Sequence, residues 1–163
     1  MEHELRNVLR NFATGVCAVT TYSDTADGRR HDAVTVNSFT SLSMRPPLVS
    51  LCLRHDSGFL ADMLESKVWA VSILDAGAVD IARSLARDRI SRASFVQALS
   101  AVPGEQTGAL VLDSPSWLEC ELRDTLTVGD HMMVIGEVIS LGVQERRPPL
   151  IFLRGGFHTL EGV

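Results

Sequence analysis

Short apolar runs, some continuous and some alternating with polar residues, recur along the chain and predict a protein built mainly of β-strands. Most of these runs are rich in β-branched residues and are bounded by Gly, Asp or Pro. The eight predicted strands are Val16 to Tyr22, His31 to Asn37, Leu48 to Arg54, Val68 to Leu74, Trp117 to Asp124, His131 to Gln144, Leu150 to Arg154 and Phe157 to Leu160. Strands of this number and irregular length are typical of an antiparallel barrel or sandwich.

Three segments carry apolar residues at helical spacing and predict helices inserted between the strands. They are Glu2 to Phe12, Ser57 to Glu65 and Ala76 to Arg87. Arg89 to Asp113 has no convincing period and contains a Pro-Gly pair, so an irregular excursion is predicted there.

The order of these elements favours a single mainly β domain over a doubly wound sheet, because the helices do not alternate with the strands. No Gly-x-Gly-x-x-Gly turn joins a strand to a helix, so a dinucleotide would not be held in the Rossmann manner. With 163 residues, the chain is long enough to bury a core without disulfides or metal, and one domain over residues 1–163 is expected.

Composition narrows the functional classes. The chain is 45% hydrophobic and 21% charged, and no run approaches the ~18 apolar residues of a membrane span, so we expect a soluble protein without a membrane partner. The first residues are acidic and amphipathic, which is not the pattern of a secretory signal, and a cytoplasmic location is expected. The net charge of −5 argues against nucleic-acid binding, which needs clustered Lys and Arg.

The three cysteines do not resemble a disulfide framework or a metal site. Cys17, Cys52 and Cys120 are widely spaced inside apolar runs, so we expect all three to be reduced core residues. Cys52-x-x-His55 is half of a possible metal site, but no second closely spaced pair accompanies it, and no metal is expected.

A polar segment from Thr35 to Ser43 leads into Arg45-Pro46-Pro47 and carries six hydroxyl or amide side chains in nine residues. One interpretation is a rigid polar shelf for a planar, phosphorylated ligand, because an extended segment offers many short donors. The other is a Ser/Thr-rich edge strand and turn, since these side chains compete for backbone hydrogen bonds in such places. The residue pattern alone favours the edge strand.

Four motifs that occur in one order along the chain favour the ligand-binding interpretation instead. They are Phe12-Ala13-Thr14-Gly15-Val16, the Thr35 to Pro47 segment, Gly129-Asp130-His131, and Pro149-Leu150-Ile151-Phe152 followed by Gly155-Gly156-Phe157-His158. With these motifs, the chain resembles the flavin reductase-like, FMN-binding split-barrel family along most of its length. The resemblance implies a split β-barrel with inserted helices and NAD(P)H:flavin oxidoreductase activity. It also implies a homodimer that supplies reduced flavin to a separate monooxygenase.

The same resemblance assigns the residues that bind the flavin, either FMN or FAD. They are Thr35, Val36, Asn37, Ser38, Thr40 and Ser41 in the polar segment, and Cys52, Arg54 and Ser57 after the next strand. Ser57 precedes a predicted helix, whose free amides and positive dipole end favour a phosphate. The alternatives are that Ser57 is a plain helix cap and that Arg54 is a solvated charge at a strand end.

A second arginine on the phosphate side is ambiguous. Members of the family usually carry an Asp-Arg-Phe element after the second helix. Here the corresponding segment is either Asp88-Arg89-Ile90 or Ala93-Ser94-Phe95. In the second case, one phosphate-neutralising arginine is either missing or supplied by Arg89 or Arg92.

His131 and Phe157 are the candidates for the nicotinamide side. Gly129-Asp130 predicts a tight hairpin turn that places His131 at the start of a strand. The resemblance makes His131 the candidate catalytic residue, orienting the nicotinamide of NADH or NADPH, with Phe157 stacking on it. The alternatives are a surface histidine and a core phenylalanine of the last strand. For the whole protein, the alternative to a reductase is a non-catalytic flavin-binding or interaction protein on the same split barrel.

Overall fold

The computed structural model describes residues 1–162, and this part of the chain is mainly β. The helices are α1 Glu2–Leu9, α2 Gly58–Ser66, α3 Val79–Leu85, preceded by a 3₁₀ turn at Ala76–Ala78, and α4 Arg89–Gln97. The strands are β1 Thr14–Gly15, β2 Cys17–Thr25, β3 Gly28–Val36, β4 Thr40–Met44, β5 Pro47–Arg54, β6 Val68–Ile73, β7 Ala101–Pro103, β8 Leu110–Leu112, β9 Ser116–Val128, β10 His131–Val143, β11 Ile151–Leu153 and β12 Gly156–His158.

Seven of these strands form one antiparallel sheet in the order β3-β2-β6-β9-β10-β5-β4. Strands adjacent in sequence pair as the hairpins β2-β3, β4-β5 and β9-β10, and β6 connects the first hairpin to the third. Strands β1, β11 and β12 form a separate small sheet, and β7 and β8 form a third. The pairing of β5 with β10 brings Arg54, at the end of β5, beside His131, at the start of β10.

Both faces of the large sheet are covered at β2 and β6, so these two strands are buried on both sides. In β2, Cys17 and Val19 pack into a cluster that includes Trp69 and residues of α2. Ala18 points the other way, into a second cluster that includes Leu85 of α3 and Leu150. This follows from the two-residue period of a strand, in which successive side chains take opposite faces.

A glycine in β10 makes room for the largest buried side chain. Trp69 of β6 is fully buried, and a Cβ atom at Gly136 would overlap its indole ring. Glycine in a strand interior is unfavourable by itself, and here the close approach of the indole accounts for it.

The prediction of a mainly β protein with inserted helices is confirmed, but the prediction of an irregular segment from Arg89 to Asp113 is wrong. That segment contains α4 and the hairpin β7-β8. The buried residues of α4 are Arg92 and Val96, so the helix is held largely by an ion pair and shows little apolar periodicity. The side chain of Asp88 caps it by accepting a hydrogen bond from the Ser91 amide at 3.0 Å.

Further differences from the prediction concern the strands. The polar segment contains a short strand, β4, which was not among the eight predicted, and Pro47 is the first residue of β5. Strand β9 runs to Val128, beyond the predicted end at Asp124, because the backbone of β10 pairs with it up to the turn.

Helix α1 has no buried residue. None of the helices in residues 1–162 has the length and apolar character needed to cross a bilayer.

Candidate functional site

A pocket of about 260 Å³ lies where the ends of β3 and β5, the start of β10 and the start of α2 meet. Its lining residues are Val34, Thr35, Val36, Asn37, Ser38, Cys52, Leu53, Arg54, Ser57 and His131. All but Val34 and Leu53 are residues that the sequence singled out. The two that sequence reasoning missed are apolar strand residues, which the periodicity does not distinguish from core.

The pairing of β5 with β10 accounts for much of this convergence. His131 lies directly opposite Arg54, and Met133 lies opposite Cys52. The turn that the sequence predicts at Gly129-Asp130 is present, with Gly129 at φ +59°, in the left-handed region that favours glycine. Residues almost 80 positions apart in sequence therefore share one end of the sheet.

Two hydroxyl groups of the polar segment fix the pocket wall. Ser38 Oγ accepts a hydrogen bond from the Cys52 amide at 3.0 Å and lies 3.2 Å from the Cys52 carbonyl, to which it donates. Thr35 Oγ1 donates to the carbonyl of Ala82 in α3 at 2.6 Å. These bonds tie the end of β3 to its neighbours, while Asn37 stays exposed at the pocket mouth.

Three predicted site residues lie outside the pocket lining. Thr40 and Ser41 are exposed on β4. Phe157 is partly buried against the second core cluster, with its ring centroid 5.5 Å from that of Phe152. Flavin contact by Thr40 and Ser41, and nicotinamide stacking by Phe157, stay predictions.

The start of α2 is an electropositive corner of the pocket. Ser57 caps the helix, its Oγ accepting a long hydrogen bond of 3.4 Å from the Leu60 amide. The first amides of any helix have no intrahelical acceptor and carry the positive end of its dipole. The guanidinium of Arg89 lies over Gly58, where a Cβ atom would overlap its Nη1. Both features suit an anionic group.

Of the two candidate arginines for the phosphate, Arg92 already has its guanidinium in a buried ion pair. It is buried and makes a bidentate ion pair with Asp32, at 2.9 and 2.8 Å. Arg89 is about one-third exposed and pairs with Asp62, and its Nε lies 3.5 Å from Asp32. Arg89 is thus the arginine beside the α2 start, and Arg92 anchors α4 to β3.

At the exposed edge of the pocket are a hydrogen-bonded histidine–aspartate pair and an arginine–aspartate ion pair. His131 Nδ1 lies 2.8 Å from Asp130 Oδ1, and this hydrogen bond holds the pKa of Asp130 below its usual value. Arg54 makes a bidentate pair with Asp56 at 3.0 and 2.9 Å and lowers the pKa of that carboxyl. The contact with Asp130 uses Nδ1 of the imidazole, and Asp130 is a neighbour in the sequence motif to which sequence reasoning gave no role.

The cysteines differ from one another. Cys17 and Cys120 are buried, as expected, and desolvation raises the pKa of each thiol to about 12. Cys52 is only partly buried and lines the pocket, so the expectation that all three are core is wrong for Cys52. Across residues 1–162, no three His, Cys, Asp or Glu side chains are grouped as a metal site would require.

Comparison with known proteins agrees with this geometry. Residues 9–161 match the model of the flavin reductase like domain. The chain belongs to this family. An NADH-dependent FAD reductase from Streptomyces globisporus is 34% identical over 157 residues, covering 95% of this chain and 84% of that protein. The reductase component of a 4-nitrophenol 4-monooxygenase/4-nitrocatechol 2-monooxygenase from Rhodococcus opacus is 30% identical, covering 94% of this chain and 78% of that protein.

A solved structure extends the likeness to the fold. The NADH:FAD oxidoreductase SgcE6 of Streptomyces globisporus, in complex with NAD and FAD fragments, is similar with a TM-score of 0.89 at 31% identity, covering 99% of this chain and 93% of that one. The split-barrel fold and the family predicted from the sequence motifs are therefore confirmed.

The residues present fit a flavin. Val34, which is half-buried, offers an apolar surface for a ring system, and the α2 start with Arg89 offers donors and positive charge for a phosphate. The pocket volume of about 260 Å³ lies just below the range of about 300–1,000 Å³ typical of small-molecule sites. One chain alone therefore encloses only part of such a ligand.

Proposed function

We propose that this flavin reductase-like protein uses NAD(P)H to reduce free flavin, FMN or FAD, and releases the reduced flavin to a partner monooxygenase. The observation that carries the proposal is the pocket itself. It joins the polar segment, the electropositive start of α2 and His131 in one place, as the chemistry of a phosphorylated, planar ligand requires.

Each part of the pocket has a role in this proposal. Ser57, the first amides of α2 and Arg89 bind the flavin phosphate. Val34 supports the ring, and His131, held by Asp130, orients the nicotinamide. A bound flavin supplies the ability to accept hydride, so the main task of the side chains is positioning, which provides much of the rate in such transfers.

Among the possible substrates, we favour NADH and FAD. The support is the Streptomyces globisporus relative, named an NADH-dependent FAD reductase. The free amides at the start of α2 accommodate the phosphate that FMN and FAD share, so discrimination between the two flavins depends on contacts beyond this corner.

The test is to mix the purified protein anaerobically with each nicotinamide and each flavin in turn and to follow the loss of oxidised-flavin absorbance. We expect catalytic reduction, fastest with NADH and FAD. Flavin binding without reduction by either nicotinamide would instead favour a non-catalytic flavin-binding protein. Adding a flavin-dependent monooxygenase and its substrate, with the reductase held behind a dialysis membrane, tests whether the reduced flavin is released.

We further propose that residues 1–163 act as one domain and that two copies form a homodimer. Exposed Leu126 and Val128 support the dimer, since they lie in β9 opposite Met133 and His131 at the pocket edge. Leu42 and Met44 are further exposed apolar residues, on the edge strand β4. A second copy packed on this side would complete the shallow flavin pocket.

A cytoplasmic location is also part of the proposal. All three cysteines are free, and such thiols persist in a reducing compartment. Cell fractionation with an antibody against the native protein would test this location.

A further inference from the structure

A second cavity, of about 660 Å³, lies at the other end of the β9-β10 hairpin and shares no lining residue with the flavin pocket. His131 begins β10 at the flavin pocket, whereas Ser140 and Gln144 border the second cavity near the end of that strand. At about 3.3 Å per residue, His131 and Ser140 are separated by roughly 30 Å along the strand. The volume is within the range of small-molecule sites.

The walls of this cavity are mostly apolar. Trp117 of β9 forms one side, and Val102, Val111 and Leu112 of the β7-β8 hairpin form the other. Trp117 is partly exposed, and a Cβ atom at Gly142 would overlap its indole ring, so the ring is held flat against β10. An immobilised indole of this kind is a good surface for an aromatic ring or for a cation.

The buried carboxylate of Glu119 lines the cavity, and only one of its two oxygens has a hydrogen-bond partner. Glu119 is 1% exposed. Its Oε1 accepts from the amides of Gln106 and Thr107, at 3.1 and 2.8 Å, and from Thr107 Oγ1 at 2.8 Å. Its Oε2 is buried and has no hydrogen-bond partner among residues 1–162. A buried carboxylate oxygen without a donor is costly, which indicates that a donor is missing.

The charge of the cavity selects the kind of ligand. Its charged lining residues are Glu105, Asp113 and Glu119, and no Lys, Arg or His of the described chain lines it. Arg147 pairs with Asp113 at 2.8 Å from outside the lining. Phosphorylated ligands such as flavins and nicotinamide dinucleotides are therefore repelled, and a cation is attracted.

We propose that this cavity binds a small organic cation, a primary or secondary amine on an aromatic or aliphatic body. The ammonium group donates a hydrogen bond to Glu119 Oε2, and the body packs against Trp117 and Val111. Ser140, which lies opposite Glu119 in the β9-β10 pairing, borders the same end of the cavity. The site is separate from flavin reduction, and its occupancy does not depend on the proposed function.

The test uses tryptamine as the probe and indole-3-propionate as an anion with the same ring, titrated calorimetrically into the full-length protein. We expect one tryptamine per chain and at least about tenfold weaker binding of the anion, because a charge-assisted hydrogen bond is lost and a like charge is introduced. Equal affinity for the two probes, or no tryptamine binding at millimolar concentration, overturns the proposal.

A pair of matched variants identifies the carboxylate. Glu119→Gln keeps an oxygen for the amides of Gln106 and Thr107 but removes the charge, so tryptamine should bind at least about tenfold more weakly. Glu121→Gln makes the same charge change on an exposed position of the same strand and should leave tryptamine binding unchanged. Thermal unfolding is recorded for both variants. Unchanged tryptamine affinity in folded Glu119→Gln overturns the proposal.

If Glu119→Gln does not fold, the variant Ser140→Arg tests whether the amine binds at Glu119. Ser140→Arg alters a partly exposed position and leaves the hydrogen bonds of Glu119 with the loop intact. Its guanidinium, placed across from Glu119, occupies the position of the amine and repels it. Tryptamine binding should then be abolished, and retained binding contradicts the assignment.

Discussion

At the scale of single residues, His131 is the sharpest test of the nicotinamide side. His131→Ala should raise the KM for NADH or slow hydride transfer, since it removes a hydrogen bond worth about 0.5–1.5 kcal/mol, which is roughly two- to twelve-fold. Flavin affinity should stay nearly constant. Stopped-flow reduction and flavin titration measure the two effects separately, with His3→Ala in the exposed α1 as the control. Normal reduction with lost flavin affinity would instead make His131 a flavin-binding residue with no role toward the nicotinamide.

Ser57 permits a test in which helix capping and phosphate binding separate. Asp caps a helix about as well as Ser, so Ser57→Asp should leave the stability of α2 nearly unchanged. The added negative charge should weaken flavin binding by repelling the phosphate. Fluorescence titration with FMN and FAD measures the dissociation constants, and Ser94→Asp on the exposed face of α4 controls for net charge. An unchanged constant for Ser57→Asp removes Ser57 from the site.

The buried thiols predict how stability varies at high pH. Cys17 and Cys120 have pKa values of about 12 in the folded protein, against 9.0 for an ordinary thiol. Above about pH 9 the unfolded chain loses these protons first, so the free energy of unfolding falls as pH rises toward 12. The slope is about 1.4 kcal/mol per pH unit for each thiol.

Urea denaturation across this pH range measures the slope. Cys17→Ala and Cys120→Ala should each have a shallower slope than the wild type, whatever their stability at neutral pH. Cys52→Ala serves as the control because Cys52 is only partly buried. Slopes that are the same in Cys17→Ala, Cys120→Ala and the wild type would contradict burial of the thiols.

At the scale of elements, α4 depends on the ion pair between Arg92 and Asp32. Both side chains are less than a tenth exposed, so Arg92→Ala leaves a buried carboxylate without its main partner. We expect a loss of about 3–5 kcal/mol in the free energy of unfolding, measured by urea denaturation. Arg123→Ala breaks an exposed pair with Glu137 and should cost less than about 1 kcal/mol. Equal effects for the two variants would show that the buried pair does not anchor α4.

The same helix shows where sequence patterns are insufficient. The strand near Val68 is predicted closely because it is one continuous apolar run, and the helix after Ser57 because its apolar residues follow helical spacing. Helix α4 buries one apolar residue, Val96, and its position depends on Asp32, a residue 60 positions away from Arg92. No local pattern encodes such a contact.

At the scale of the whole molecule, the proposed dimer predicts a mass in solution of twice the 17.8 kDa chain. Leu126→Glu places a charge on the exposed apolar surface beside the pocket and should shift the protein toward monomer and weaken flavin binding. Leu141→Glu alters an apolar residue of similar exposure on β10, ten positions along the strand from His131, and should do neither. Light scattering measures the mass, and a fully active 17.8 kDa species would refute the dimer.

The sequence by itself determined the mainly β fold, the family and most of the pocket residues, because strand periodicity, turn residues and ordered motifs are local features. It also identified His131 and Ser57 through the turn and the helix start beside them. Only the tertiary structure distinguishes Arg89 from Arg92, since Arg92 is buried in a bidentate pair with Asp32 while Arg89 lies beside the start of α2. The same is true of Glu119, an acidic residue in an ordinary strand, whose unpaired oxygen arises only when a distant loop folds over it.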